Sequence, residues 1–410
     1  MHKLYIVLTQ SIINIGGAEI YARNKYSYLR NAGWDCLVVS TRQGNIVIDD
    51  LKRFKTSIIK ELRFGPYLYS PSQRKKLMKT LVSILPDTTI YDEVIVESHS
   101  LTLSLWGEML SKEISAKHLA FLLEEHCDLD TQKYDFLKFK HNRGELAGIN
   151  RQSLKLLFRP YGELPDDKSY YLLAHCTNSV EEIPDSKWDK IPDAQYNIGS
   201  IGRLEKPYLQ SVIKDITEFV DEHPDSTFNI FFIGGETNGS AITNQIYSIF
   251  FNHRNVKVYI TGFIYPIPLS LINRIDVFMS SAGSVRVSEN AGRFTIAYDS
   301  NDLQPIGLYG YTTDNSLFRD SEPKTTGKEW LDKILIEKAF TPKSKPFVPF
   351  RPSFDAHMEF LDKGDGHPAY YDFPKWKLNM KDMARSMIIR LIGPSNYIKY
   401  IDFKANKAIR

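Results

Sequence analysis

Short apolar runs recur along this chain, separated by longer segments with helical spacing, and the whole alternation occurs twice. The first series of runs lies at 4–8, 36–40, 93–96, 119–123 and 171–174, with helical patterns at 18–31, 101–112 and 145–158 between them. The second lies at 198–201, 228–233, 256–260, 277–279 and 295–298, joined by helical patterns at 209–221, 241–250 and 269–273. Alternating strand and helix signals of this kind specify a parallel sheet covered by helices. Two such series predict an α/β protein with two doubly wound, Rossmann-like domains, divided in the Pro- and Asp-rich segment 182–192. At 410 residues the chain is long enough for both. From 301 to 375 repeated prolines break the rhythm, predicting a loop-rich excursion with one helix near 328–338, and 376–391 and 395–407 read as helices again.

Composition narrows the function. Lys and Arg total 52 against 49 Asp and Glu, so the chain has no overall field that would draw nucleic acid. Cys36, Cys127 and Cys176 form no C-x-x-C pair and read as reduced thiols of a cytoplasmic protein. No apolar stretch is long enough to span a bilayer, and the run before Thr9 is too short for a signal peptide. The charge is uneven, however. Residues 51–80 hold nine bases and one acid, Glu61, a local +8, interleaved with Phe54, Phe64, Tyr67, Leu68 and Tyr69. Such a segment suits an anionic membrane surface or a polyanionic acceptor, the alternative being a solvated loop.

The first chemical constellation is Gly16-Gly17-Ala18-Glu19, after the first strand and opening a helix. Paired glycines permit a tight turn and close approach to a ligand, and the helix N-terminus beyond favours anions. Further along, Ile201-Gly202-Arg203-Leu204-Glu205-Lys206 ends a strand of the second series. Arginine and lysine at a strand's carboxyl end can grip phosphate oxygens, the alternative on position alone being two exposed surface cations. His99 and His126 each follow an apolar strand of the first series, with Glu124 and Glu125 at the same edge.

In order, these pieces resemble the retaining group-1 (family 4) branch of the GT-B nucleotide-sugar glycosyltransferases. The likeness lies in the GGAE loop, Val94–Ser100, Leu122–His126, Gly199–Lys206, Phe231–Gly235, Val256–Phe263 and Ile275–Ser281, and covers roughly residues 1–300. It implies an acceptor domain over 1–180, completed by about 376–410, a donor domain over 195–375, an interdomain cleft, and terminal helices crossing back to the first domain. By resemblance, Gly16, Gly17, Arg203, Lys206, Gly262, Ser284 and Glu289 bind the donor, while His126 and His99 serve the transferred sugar or acceptor. The implied activity is metal-independent, retaining transfer of a hexose-type sugar from a UDP- or GDP-type nucleotide-sugar to a glycan or lipid-linked acceptor, in surface polysaccharide or glycoconjugate synthesis. No cofactor is expected, and the protein would work in the cytoplasm or on the inner face of the membrane. One departure stands out. With Glu289 as the second glutamate of the family's E-x7-E pattern, Ser281 occupies the place of the first. That loss leaves two rival readings, a non-catalytic partner binding glycan or a sister transferase, and a sugar-nucleotide epimerase.

Overall fold

The computed structural model describes residues 2–13, 15–124, 129–149, 151–162, 171–184, 187–237, 239–343, 347, 351–363 and 369–408. The chain divides into two compact units, one of Met1–Ile13, Tyr21–His175 and Pro352–Arg410, the other of Asn14–Ile20 and Cys176–Arg351.

Through residue 158 the chain runs β1 (Lys3–Thr9), α1 (Gly17–Asn31), β2 (Asp35–Ser40), β3 (Thr56–Ile58), α2 (Pro71–Ser83), β4 (Glu93–Ser98), α3 (Leu101–Ile114), β5 (Lys117–Leu122), α4 (Thr131–Asn142), β6 (Leu146–Gly148) and α5 (Arg151–Phe158). The strands form one sheet in the order β3-β2-β1-β4-β5-β6, every neighbouring pair parallel. Such a sheet is covered on both sides, which is why β1 reads as a continuous apolar run. Leu4, Ile6 and Leu8 join one core with Trp106 and Leu110 of α3, and Tyr5 points to the opposite face.

The second unit repeats the plan with β7 (Val180–Glu181), β8 (Tyr196–Ile201), α6 (Tyr208–Glu222), β9 (Phe228–Ile233), α7 (Ala241–Phe250), β10 (Val256–Ile260), β11 (Ile267–Pro268), α8 (Leu269–Arg274), β12 (Val277–Ser280), α9 (Gly283–Asn290), β13 (Phe294–Tyr298), β14 (Pro305–Leu308) and α10 (Gly327–Leu331). Its sheet order is β10-β9-β8-β12-β13-β14, with β14 antiparallel to β13, while β7 and β11 form a separate short ladder. The chain then returns to the first unit through α11 (Asp355–Asp362), α12 (Met380–Ile392) and α13 (Pro394–Ala408).

Several expectations need correction. The run at 171–174 makes only an isolated bridge from Tyr171 to Gly148. The helical pattern at 145–158 begins as β6, whose three buried residues are too few for periodicity to distinguish. The return to the first unit starts at 352, not 376, because Phe354 packs on Tyr21, Tyr28 and His175.

On the face of the first sheet opposite α3, one carboxylate organises the packing. Glu97 of β4 is fully buried and accepts hydrogen bonds from the Tyr5 hydroxyl of β1, the Tyr21 hydroxyl of α1 at 2.5 Å and Nε2 of His99 at 2.8 Å. Lys25 of α1 places its Nζ 3.7 Å from the same carboxylate, and 5.1 and 5.0 Å from the ring centres of Tyr5 and Phe354. Burial alone would raise the Glu97 carboxyl, but Lys25 and the hydrogen bond from His99 outweigh it and hold it well below the usual range. Burial lowers the Lys25 ammonium to about 8, against the pull of Glu97. Burial also lowers His357 of α11 to about 3, with Lys25 adding to the effect, so this imidazole is neutral and donates through Nε2 to the Leu173 carbonyl at 3.0 Å.

These values fix how stability depends on pH. Below the unfolded histidine value of about 6.5, the unfolded chain takes up a proton that buried His357 refuses, so stability falls with pH down to the folded value. His118, also lowered by burial, acts in the same direction. Glu97 stabilises fully above the unfolded carboxyl range and loses that contribution only as pH falls through its depressed folded value. Stability should therefore drop by about 1.4 kcal/mol per pH unit per excluded proton between roughly pH 6.5 and 4.5. Urea midpoints at about pH 7 and pH 5 measure this, and His357→Gln should reduce the difference; equal midpoints for the wild type would refute it.

Candidate functional site

In open α/β sheets ligands sit at the carboxyl ends of strands where the order reverses, which in the second unit is between β8 and β12. There the ladder is short: β8 and β12 pair only at Ile198–Val277 and Gly199–Phe278. Beyond that the strands diverge, and the Ser280 hydroxyl bridges them by accepting from the Ile201 amide at 3.0 Å.

The loop after β8 is held against the end of β9. The Gly202 amide donates to the Ile233 carbonyl at 3.1 Å, and the Leu204 amide to the Gly235 carbonyl at 3.0 Å. Gly234, whose amide donates to Thr261 Oγ1 at 3.1 Å, makes the approach possible, since a Cβ there would lie 1.9 Å from the Gly202 carbonyl oxygen. This clamp fixes the backbone between the two cations. Arg203 is exposed and Lys206 half-buried, one turn before α6.

On the other side of the switch, Ala282 (φ 55°) leads into α9. Alanine at the N-cap offers no side-chain acceptor, so no capping side chain takes the amides of Gly283 and Ser284. Residues 14–20 belong to this unit too. A Cβ on Gly16 would stand 2.9 Å from a Glu19 carboxylate oxygen and 3.9 Å from Arg203 Nε. Added Cβ atoms on Gly17 and Gly283 would lie 3.6 and 3.8 Å from the Cys176 sulfur. The opening turns of α1 and α9 thus converge on Cys176, with Arg203 alongside. Two helix N-termini and a guanidinium lie close together at this edge, a grouping that favours negative charge.

Gly16, Gly17, Arg203, Lys206 and Ser284 therefore share one edge, and Gly262 follows β10 on the same edge in a left-handed conformation (φ 69°). Glu289 stands apart. It lies in the last turn of α9, away from the β12 end where that helix begins, and its carboxylate faces the Gly310 turn after β14. Ser281, at the place of the missing glutamate, is buried with its hydroxyl 3.3 Å from that of Ser300.

In the first unit, His99 is not the open side chain its position after β4 suggested. It is 3% exposed, with Nε2 committed to Glu97 and its ring edge-on to Tyr21. His126 and Glu125 lie outside the described residues. Glu124, at the carboxyl edge of the first sheet, accepts from Gln10 Nε2 at 2.8 Å and from the Leu101 amide at 3.2 Å, and burial raises its carboxyl above the usual range. Among the described residues no group of three His, Cys, Asp or Glu side chains is arranged to hold a metal ion.

No family model and no curated protein matches the sequence. Solved structures do match in fold. A glycosyltransferase from Rickettsia africae superposes with a TM-score of 0.56 at 15% identity, over 100% of this chain and 98% of its own. HepE from Anabaena, crystallised with UDP and glucose, gives 0.54 at 12% identity over 82% and 89%. TarM gives 0.51 at 11% identity over 82% and 91%. The architecture is the GT-B fold, two Rossmann-like units in one chain.

The glycine clamp can be checked directly. Gly234→Ala should cost about 2–3 kcal/mol in urea unfolding, because its Cβ meets backbone. Gly262→Ala, with open space around it, should cost only the left-handed penalty of about 1–2 kcal/mol. Equal costs would show that the clamp is loose.

Proposed function

We propose that this protein is a glycosyltransferase, moving a sugar from a nucleoside-diphosphate sugar to a glycan or lipid-linked acceptor. The observation that carries the reading is the convergence of the α1 and α9 opening turns with Arg203 at the switch point of the second sheet. The presence of UDP in the similarly folded HepE structure supports it. In this reading Arg203 and Lys206 hold the diphosphate and stabilise its charge as the glycosidic bond breaks. The amides of Gly16–Gly17 and Gly283–Ser284 complete the cradle. The reaction retains the anomeric configuration, with the departing phosphate taking the proton of the acceptor hydroxyl. His126 contacts the transferred sugar, and His99, anchored by Glu97, is a positioning residue. Glu289 acts, if on the donor at all, only through the turn it faces.

Arg203→Ala should weaken UDP binding by about tenfold or more in calorimetry, and Lys206→Ala should act in the same direction, since each removes a charge-assisted phosphate contact. Unchanged affinity in both variants would remove the cradle assignment.

The burial of Ser281 where the resemblance expects a carboxylate favours a second reading, a subunit that binds the nucleotide-sugar without turnover. One assay separates the two. A transferase releases free nucleoside diphosphate only when acceptor is supplied, and His126→Ala should then lower turnover far more than donor affinity. Tight donor binding with no release, across donors and with host membranes as acceptor source, would establish the binding-only reading.

A further inference from the structure

Helix α12 is built inside out. Its buried residues are the polar Ser386, whose hydroxyl donates to the Leu68 carbonyl at 2.8 Å, and Ile389. Met380, Met383, Ala384, Met387, Ile388 and Leu391 recur at helical spacing on the opposite side and face solvent, Met380 at 80% and Leu391 at 78% exposure. Single exposed apolar residues are ordinary, but a continuous stripe along three turns marks a surface that something covers.

What surrounds the stripe identifies its partner. No charged residue interrupts those six, and exposed Lys381 and Arg390 border them. Helix α2 lies alongside, its Gln73 Nε2 donating to the Ile389 carbonyl at 3.3 Å. It exposes Lys75, Lys76 and Lys79. Helices α2, α12 and α13 together carry ten basic residues and two acids. Both acids are paired with arginines, Asp382 with Arg385 at 3.6 Å and Asp402 with Arg63 at 2.6 Å. Burial and the neighbouring Arg390 lower the Arg74 guanidinium, so two cations sit close together with like-charge repulsion between them. On α13, Phe403 is 66% exposed beside Lys404.

We propose that this face docks on an anionic lipid surface, the α12 stripe entering the headgroup–acyl boundary while the lysines and arginines of α2, α12 and α13 meet lipid phosphates. An apolar face edged with Lys and Arg is the pattern of a helix lying in the membrane interface. No helix among the described residues is long and apolar enough to cross a membrane, so attachment is from one side. A second copy is a poor occupant, because pairing two such faces would bring both basic clusters together. The +8 segment at 51–80 contributes α2 to this face, and the apolar half of the device comes from the far end of the chain.

The test is flotation of the full chain with vesicles of phosphatidylcholine alone or mixed with phosphatidylglycerol. The wild type should float only with the mixed vesicles and lose binding as salt rises. Met387→Asp combined with Leu391→Asp should weaken binding by about tenfold or more, with an unchanged melting curve because both side chains are exposed. Lys75→Ala, Lys76→Ala and Lys79→Ala should each cost about fivefold. Equal flotation with neutral vesicles, or none with charged ones, would overturn the proposal, and the wild-type comparison alone decides this. A chain that stays off vesicles but sediments as a dimer, dispersed by Leu391→Asp, would make the occupant a second copy. Vesicle binding indifferent to the α12 changes would reject a role for the stripe.

Discussion

A carboxylate with no access to water is tolerable only when cations and hydrogen-bond donors surround it, and in this protein that requirement fixes where the elements of the first unit can lie. Glu97 draws a hydroxyl from β1, a hydroxyl and an ammonium from α1, and an imidazole from the end of its own strand. Removing one partner would strand the rest, a loss of about 3–5 kcal/mol for a buried ion pair. Replacing the whole set with apolar side chains could be neutral. The network is therefore better understood as a locator than as a reserve of stability. It holds α1 by Tyr21 and Lys25, and it gives α11 a polar neighbour in an otherwise aromatic packing.

The same topology, used twice, places chemistry at the carboxyl edges of both sheets by different means. In the second unit the edge is mostly backbone, with glycines at 16, 17, 234 and 283 where a side chain would fill the space or strike a neighbour. Backbone donors are preorganised and need no side-chain ordering. In the first unit the edge is side-chain chemistry, with Glu124 bound by Gln10 and the start of α3. The two edges are therefore built differently, one from backbone and the other from side chains.

Much of this was legible in the sequence because the central strands are buried on both sides and appear as uninterrupted apolar runs. The place of Arg203 and Lys206 just past a strand was legible for the same reason, since the end of β8 is unmistakable beside Ile198–Ile201. The failures have particular causes. Strands β3, β6 and β14 are three or four residues long, below the length at which alternation can be recognised. Helix α11 is flanked by prolines and is held by contacts of Phe354 and His357 with residues more than 170 positions earlier, which no local pattern records. His99 read as an edge residue because nothing nearby announces that Glu97, two positions before it, is buried. Glu289 falls in the last turn of α9, a helix of eight residues whose limits no local pattern records. Helix α12 shows the limit most plainly: the spacing of Met380, Met383, Met387 and Leu391 is that of a core-facing stripe, and only the neighbouring elements reveal that it faces outward.

The buried carboxylates also leave an optical trace. The Tyr5 and Tyr21 hydroxyls donate to Glu97, and the Tyr298 hydroxyl of the second unit donates to Asp215 at 2.6 Å. Burial, and then the adjoining carboxylate, push all three phenols well above the usual tyrosine value. A phenolate at any of these positions would set two negative charges side by side in a medium that cannot screen them. In alkaline solution these rings stay dark in the ultraviolet band of tyrosinate while exposed tyrosines ionise, and they brighten only when their own unit opens. The chain thus carries, in each unit, a built-in chromophore whose silence reports that the interior is still closed.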